Sequence, residues 1–166
     1  MDNQLGEDLT FEDGWARIEQ GAVRKLLDML DHYGERKLDG KLFPHDEYMQ
    51  TYQLVYKLGT QRAPRNYSEQ LYAKHTEIIS TYLQTKSMPR LREQHGVSLL
   101  KEFVRQWEVF QLLSKWQRKF MMYLDRFHVQ HHNLPTLADA ALRTYVDVVF
   151  THTAADVTKA LLELVQ

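Results

Sequence analysis

Three histidines in the last third of the chain are the residues most suggestive of a chemical site. His128, His131 and His132 are three and four residues apart, so one helix face could present all three to a metal ion. The chain then runs directly into Pro135, where a helix should end, and no His-Glu-x-x-His pattern accompanies them. We interpret them as a polar helix end near solvent, where histidine also suits the negative end of the helix dipole. No metal site is expected.

The other sequence patterns that carry catalysis are missing. We find no phosphate-binding loop, glycine-rich nucleotide loop or nucleophile elbow, and the absence of cysteine excludes thiol chemistry and fits a reducing compartment. The formal net charge of −1 gives no general attraction to nucleic acid. No run of about 18 apolar residues exists that could cross a membrane. We therefore expect no catalytic residues, no cofactor, no nucleic-acid partner and no membrane partner.

Apolar residues recur at spacings of three and four through most of the chain, which is the pattern of amphipathic helices. No alternating apolar–polar run is flanked by a hairpin turn signal, so the predicted fold class is all-α. Short connections favour a bundle or the beginning of a helical solenoid. Seven helical segments are predicted: 11–32, 45–58, 67–85, a fourth from near 97, a fifth carrying 116–127, then 137–150, and 154 to the end.

Proline, asparagine and glycine mark the predicted helix ends. Pro89 is expected to follow the third segment, and Asn66 with Glu69 is expected to form a capping box at its start. No helix breaker separates segments four and five, so they form either one long helix or one bent helix. The chain stops at Gln166 inside a helical pattern without a cap, from which we expect a piece of a longer protein.

The second segment has more apolar circumference than one packing face requires. At about 100° per residue, Thr51, Leu54 and Leu58 fall on one side of this helix. A second apolar side remains, formed by Tyr48 and Tyr52, with Met49 and Tyr56 flanking them and Val55 at the border. Its own domain could contact this helix on both sides, or one side could face a partner. Tyrosine and methionine suit the core of an interface, which favours the partner.

The fifth segment shows a related asymmetry. Its predicted core stripe is Trp116, Phe120, Leu124 and Phe127. A polar and aromatic row runs beside that stripe at helical spacing and comprises Lys119, Tyr123, Arg126 and Gln130. This row is either the edge of an interface or a helix flank whose long side chains extend into solvent.

Several short motifs resemble, in their order and spacing, the amino-terminal region of cullins. They are Trp15-x-x-Ile18, Tyr48-Met49-x-x-Tyr52-x-x-Val55-Tyr56, the run 66–72, Gln106-Trp107 and Tyr123-Leu124-Asp125-Arg126. The stretch 60–64 leading into that run looks most like the cullins of Skp–cullin–F-box (SCF) ubiquitin ligases. The chain departs from the family at Thr51, where leucine is usual, and at Leu58 and Gly59, where tyrosine or cysteine is common.

The resemblance implies a fold and a role. Residues 1–135 would form the first five-helix cullin repeat, and 136–166 would begin the second. The chain would be the adaptor-binding end of a non-catalytic ubiquitin-ligase scaffold, located in the cytoplasm and nucleus. The distant end of the full-length protein would bind a RING subunit and carry a ubiquitin-like modifier.

The resemblance also implies a binding site. In cullins the second and fifth helices dock on an adaptor, here expected to be a Skp-like protein that carries F-box proteins. The matching positions are Tyr48, Met49, Tyr52, Val55, Tyr56, Tyr123 and Arg126, with Lys119 and Gln130 as weaker additions. The alternative is a generic helical-repeat interaction domain for a BTB-type or unrelated partner.

Overall fold

The computed structural model describes residues 7–33 and 42–166, and it confirms the all-α prediction. That part of the chain contains six continuous helices: α1 (Phe11–Ile18, Glu19–Val23, Arg24–Asp31), α2 (His45–Thr60), α3 (Ser68–Tyr82, Leu83–Ser87, Met88–Arg92), α4 (Gly96–Phe120), α5 (Leu124–His128, Val129–His132) and α6 (Leu137–Tyr145, Val146–Phe150, Thr151–Val165). Four of these pieces are π-helical turns: Glu19–Val23, Leu83–Ser87, Leu124–His128 and Val146–Phe150. None of the helices in these ranges is long and apolar enough to cross a bilayer.

Two predictions about the third helix were wrong. Helix α3 continues through Pro89 to Arg92, because Pro89 stands in the first turn after a π-helical turn, where a missing backbone N–H is tolerated. The expected capping box does not form, since Tyr67 occupies the cap position and no side chain caps the helix. The start of α3 is instead tied to the end of α2 by a 2.8 Å bond from the Tyr67 amide to the Leu58 carbonyl.

The last two predicted segments are a single helix. Helix α6 passes through the π-helical turn at Val146–Phe150 without a break. The hydroxyl groups of Thr151 and Thr153 each donate 2.8 Å bonds to carbonyls in this turn, those of Val146 and Val149. These hydroxyl groups are therefore satisfied within one continuous helix, and seven predicted segments become six helices in the described ranges.

Segments four and five, left open as one long or one bent helix, are interrupted at Met121. This residue leaves helical geometry (φ −106°, ψ 22°) after the last turn of α4. The chain resumes the helical path at once and enters α5 through a π-helical turn. Asn133 ends α5 in the left-handed conformation (φ 51°), close to the predicted end before Pro135.

Helix α4 forms the centre of the fold and contacts α1, α2, α3 and α6. One cluster of buried apolar side chains joins all six helices, including Leu26, Leu58, Leu83, Phe120 and Tyr145. The Gln106 amide of the resemblance motif lies inside this core, where its Oε1 accepts a 2.8 Å bond from Ser87. Helix α6 shares the same core, and the repeat boundary at 135/136 stays a prediction.

Candidate functional site

Helix α2 buries one side and exposes the other, but the sides differ slightly from those predicted. Thr51, Val55 and Leu58 are buried, whereas Leu54 is only half-buried. The Thr51 hydroxyl donates a 3.2 Å bond to the Glu47 carbonyl. The hydroxyl of this buried threonine therefore needs no hydrogen-bond acceptor outside its own helix.

Val55 is a correction to the predicted binding residues. Its side chain is 0% exposed and belongs to the core cluster. Val55 follows Thr51 by four residues, so it lies on the buried side of α2 and cannot contact a partner in this structure. Its role is to fix the position of the neighbouring Tyr52 and Tyr56.

The exposed side of α2 joins α5 to form a surface that we call the aromatic strip. It consists of Tyr48, Tyr52, Tyr56, Tyr123 and Phe127. Successive tyrosines of α2 are four residues apart and share one side of the helix. The strip has a first half, Tyr48 and Tyr52, and a second half, Tyr56, Tyr123 and Phe127.

The first half of the strip rests on the core. The ring of Tyr48 lies 6.5 Å from that of Trp116 and 6.3 Å from that of Phe120, both buried. Tyr52 continues the row, with its ring 6.3 Å from that of Tyr48. Phe43, just before α2, packs edge-on against Phe120 at 5.1 Å. Core aromatics on α4 therefore hold this half of the strip from behind.

The second half of the strip is built from two exposed rings that contact the half-buried ring of Tyr123. The rings of Tyr56 and Tyr123 are 5.3 Å apart, and those of Tyr123 and Phe127 are 4.9 Å apart. Tyr56 is 50% exposed and Phe127 is 56% exposed. Placing Phe127 in the core stripe was wrong, because the interruption at Met121 and the π-helical turn rotate its side chain away from the position that an ideal wheel assigns.

Gly59 is a site residue that helix periodicity could not identify. A Cβ atom built at Gly59 would lie 2.6 Å from Cε1 of Tyr123 and 2.9 Å from Oγ of Ser68. Glycine here lets the Tyr123 ring lie directly on α2. The departure from the cullin pattern at this position was the available sequence signal, and the structure gives it a steric reason.

Polar contacts with α3 and with the start of α6 anchor the segment that carries the second half. The Tyr72 hydroxyl donates a 2.8 Å bond to the Pro135 carbonyl, and Nε2 of buried His75 lies 3.1 Å from the Leu137 carbonyl. On α5, Asp125 accepts a 2.8 Å bond from the Leu137 amide. These bonds hold both ends of the connection between α5 and α6, so α5 has a fixed position relative to α3.

The charged and polar residues predicted for the surface flank the strip. Nζ of Lys119 lies 4.6 Å from the centre of the Trp116 ring, within cation–π range. Arg126 and Gln130 are exposed on α5, and Met49 is half-buried on α2. Eight of the nine predicted binding residues therefore have some solvent exposure, and Val55 is the exception.

The histidines at the end of α5 lie close together. The ring centroids of His128 and His132 are 4.7 Å apart, and those of His131 and His132 are 5.1 Å apart. Within residues 7–33 and 42–166, no three His, Asp or Glu side chains are arranged to hold a metal ion. The cluster adds polar, basic character to one end of the aromatic strip.

The arrangement suits protein binding. Large rings with hydroxyl groups provide apolar contact area and hydrogen bonds together, which is why tyrosine is frequent among the dominant residues of interfaces. Burial raises the pKa of Tyr123, and the nearby Tyr56 raises it further. Tyr123 therefore keeps its proton at neutral pH and can donate a hydrogen bond to a partner.

Comparison with known proteins identifies relatives over nearly the whole chain. The family model described as the cullin alpha solenoid domain matches residues 20–166. Cullin-1 of Oryza sativa subsp. japonica is 31% identical over 157 residues, which are 95% of this chain and 20% of that protein. Cullin-2 of Arabidopsis thaliana is 32% identical over 96% of this chain and 21% of its own length. Putative cullin-like protein 2 of Arabidopsis thaliana is 33% identical over 93% of this chain and 40% of its own length. The chain spans about a fifth of the length of the first two of these relatives.

Proposed function

The chain belongs to the cullin family, and from this premise we propose that it is the adaptor-binding part of an SCF-type ubiquitin-ligase scaffold. The observation that carries the proposal is the aromatic strip, a row of half-buried and exposed rings shared by two helices. The cullin resemblance assigns adaptor docking to the same two helices. The likeness to Cullin-1 over 95% of the chain supports the choice of this class of cullin.

The proposed partner is a Skp-like adaptor that carries an F-box protein. In this arrangement the chain holds the substrate-recruiting subunits and catalyses nothing itself. A RING subunit and a ubiquitin-like modifier would belong to the distant part of a full-length protein. The proposed location is the cytoplasm and nucleus.

The geometry of the strip suits such an adaptor. Tyr48 is supported by the core and offers a rigid contact, which lowers the entropic cost of binding. Tyr56 and Phe127 are more exposed and can enter a groove between elements of a partner. Interface residues of this kind typically contribute about 2 kcal/mol or more each when they are central.

A direct titration tests the proposal. The chain would be mixed with a purified Skp-like adaptor in a calorimeter, and in parallel with a purified BTB-type adaptor. We expect the Skp-like adaptor to bind with a Kd of about 1 μM or tighter. Binding of the BTB-type adaptor alone would reassign the chain to the other class of cullin partner. Binding of neither at tens of micromolar would overturn the proposed function.

A further inference from the structure

A shallow concavity of about 560 Å³ opens at the Phe127 end of the aromatic strip. Tyr123, Arg126 and Phe127 form part of its lining, so the concavity is continuous with the second half of the strip. The histidines of α5 form another part of the lining. Among the described residues that line it, none carries a carboxylate. The concavity therefore has an aromatic rim and contains one arginine and three histidines.

Three histidines lie close together in this place. Burial lowers the pKa of His128, and repulsion from His132 and His131 acts in the same direction. Glu69 on α3 acts in the opposite direction, but it lines the adjoining concavity on the other side of His128 and His132. An anion bound beside Arg126 would oppose this lowering, because a nearby negative charge favours the protonated form of His128.

Arg126 gives the concavity a group suited to carboxylates. It is exposed, and none of the ion pairs formed among the described residues involves it. The guanidinium group presents a planar fork that matches the two oxygens of a carboxylate. Charge and shape both point to an acidic side chain as the occupant.

We propose that this basic concavity receives an acidic segment, rich in Asp or Glu, of the protein that covers the aromatic strip. The proposal rests on the proposed function, since the segment belongs to the partner bound there. The aromatic strip supplies the apolar contact area, and the concavity sets which partner segment lies beside Phe127. The acidic segment would pair with Arg126 and accept hydrogen bonds from N–H groups of the α5 histidines.

A matched pair of triple variants tests the acidic site. The site variant is Arg126→Gln/His131→Gln/His132→Gln. The control variant, Arg92→Gln/His95→Gln/His152→Gln, removes one arginine and two histidines from exposed positions around the start of α4 and the middle of α6. Circular dichroism would first establish that both variants keep the helical content and melting temperature of the parent.

The first readout is binding of a fluorescent oligoglutamate peptide at low salt, with a glycine–serine peptide of equal length as the reference. We expect the parent and the control variant to bind oligoglutamate alike, and the site variant to bind it about fivefold more weakly. Equal binding by the site and control variants would overturn the proposal. No binding by the parent would overturn it as well.

The second readout separates this proposal from the proposed function. Affinity for the Skp-like adaptor should fall as salt rises, and it should fall less steeply for the site variant, because screening acts on charge pairs that this variant lacks. An unchanged salt dependence would contradict an acidic segment in the concavity. An adaptor that fails to bind even the parent would contradict the proposed function, whereas the oligoglutamate result would still test the concavity.

Discussion

The two halves of the aromatic strip achieve the same kind of surface by different physical means. Tyr48 is placed by the core, because it packs on Trp116 and Phe120, and Tyr52 lies against Tyr48. Tyr56 and Phe127 are placed by contacts with Tyr123, which packs against the edge of the core in the space that Gly59 leaves. A substitution in the first half should therefore change both partner binding and the free energy of unfolding. A substitution at Tyr56 or Phe127 should change binding with little effect on the fold. Under the proposed function, the second half is therefore where preference for a partner would vary.

The largest expected effect is on the free energy of unfolding, compared between one tyrosine from each half of the strip. Tyr48→Ala should lower the free energy of unfolding by about 2 kcal/mol, because it removes ring contacts with two buried aromatics. Tyr56→Ala should lower it by about 0.5 kcal/mol, since half of that side chain is already exposed. Urea denaturation followed by circular dichroism measures both. Equal losses would mean that the core does not support the first half selectively.

The next effect concerns the glycine under the second half. In Gly59→Ala the new methyl group would push the Tyr123 ring away from α2 and from Tyr56, so adaptor binding should weaken by about 1.5 kcal/mol. Gly21→Ala is the matched control, because a Cβ there meets no atom within 4 Å and alanine favours the helix. Calorimetry with the adaptor compares the two. Unchanged affinity in Gly59→Ala would show that the position of Tyr123 does not matter for binding.

A smaller effect is expected at the exposed end of the strip. Phe127→Ala should weaken adaptor binding by about 1 kcal/mol and change the free energy of unfolding by less than about 0.5 kcal/mol. Phe150→Ala on α6 is the matched control, because Phe150 is 50% exposed and Phe127 is 56% exposed. It should leave the affinity unchanged. If both variants bind equally well, Phe127 lies outside the interface.

The smallest expected effect is a change in the pH dependence of stability. His75 contacts the Leu137 carbonyl at the end of the connection between α5 and α6, which follows the second half of the strip. Burial lowers the pKa of His75 below its ordinary value of 6.5, despite the opposing effects of the Leu137 carbonyl and Asp125. Its neutral form therefore stabilises the fold above about pH 6.5, and this contribution is lost as the pH falls toward the folded pKa. The free energy of unfolding should decrease from pH 7.5 to 5.5 more steeply in the parent than in His75→Gln. Parallel curves would refute this role.

Periodicity was enough to predict the helices and to notice that α2 had two apolar sides. It could not place Val55 and Phe127 correctly. Val55 lies at the border of two faces, where a wheel of about 100° per residue does not decide which face is buried. Phe127 follows Met121 and lies in a π-helical turn, and both shift the register of α5 away from the ideal wheel. The role of Gly59 depends on a close approach between two helices distant in sequence, which local pattern does not contain. The family resemblance supplied the pairing of α2 with α5, and in the structure Tyr56 of α2 contacts Tyr123, directly before α5.

The most direct test of the central claim is a titration of the Skp-like adaptor with two double variants. Tyr52→Ala/Tyr56→Ala removes the middle of the aromatic strip. Leu142→Ala/Phe150→Ala removes two similarly exposed apolar side chains from α6 and serves as the control. We predict that the first variant loses about 100-fold or more in affinity, while the second binds like the parent. Parent-like binding by Tyr52→Ala/Tyr56→Ala would contradict the assignment of the aromatic strip as the partner surface.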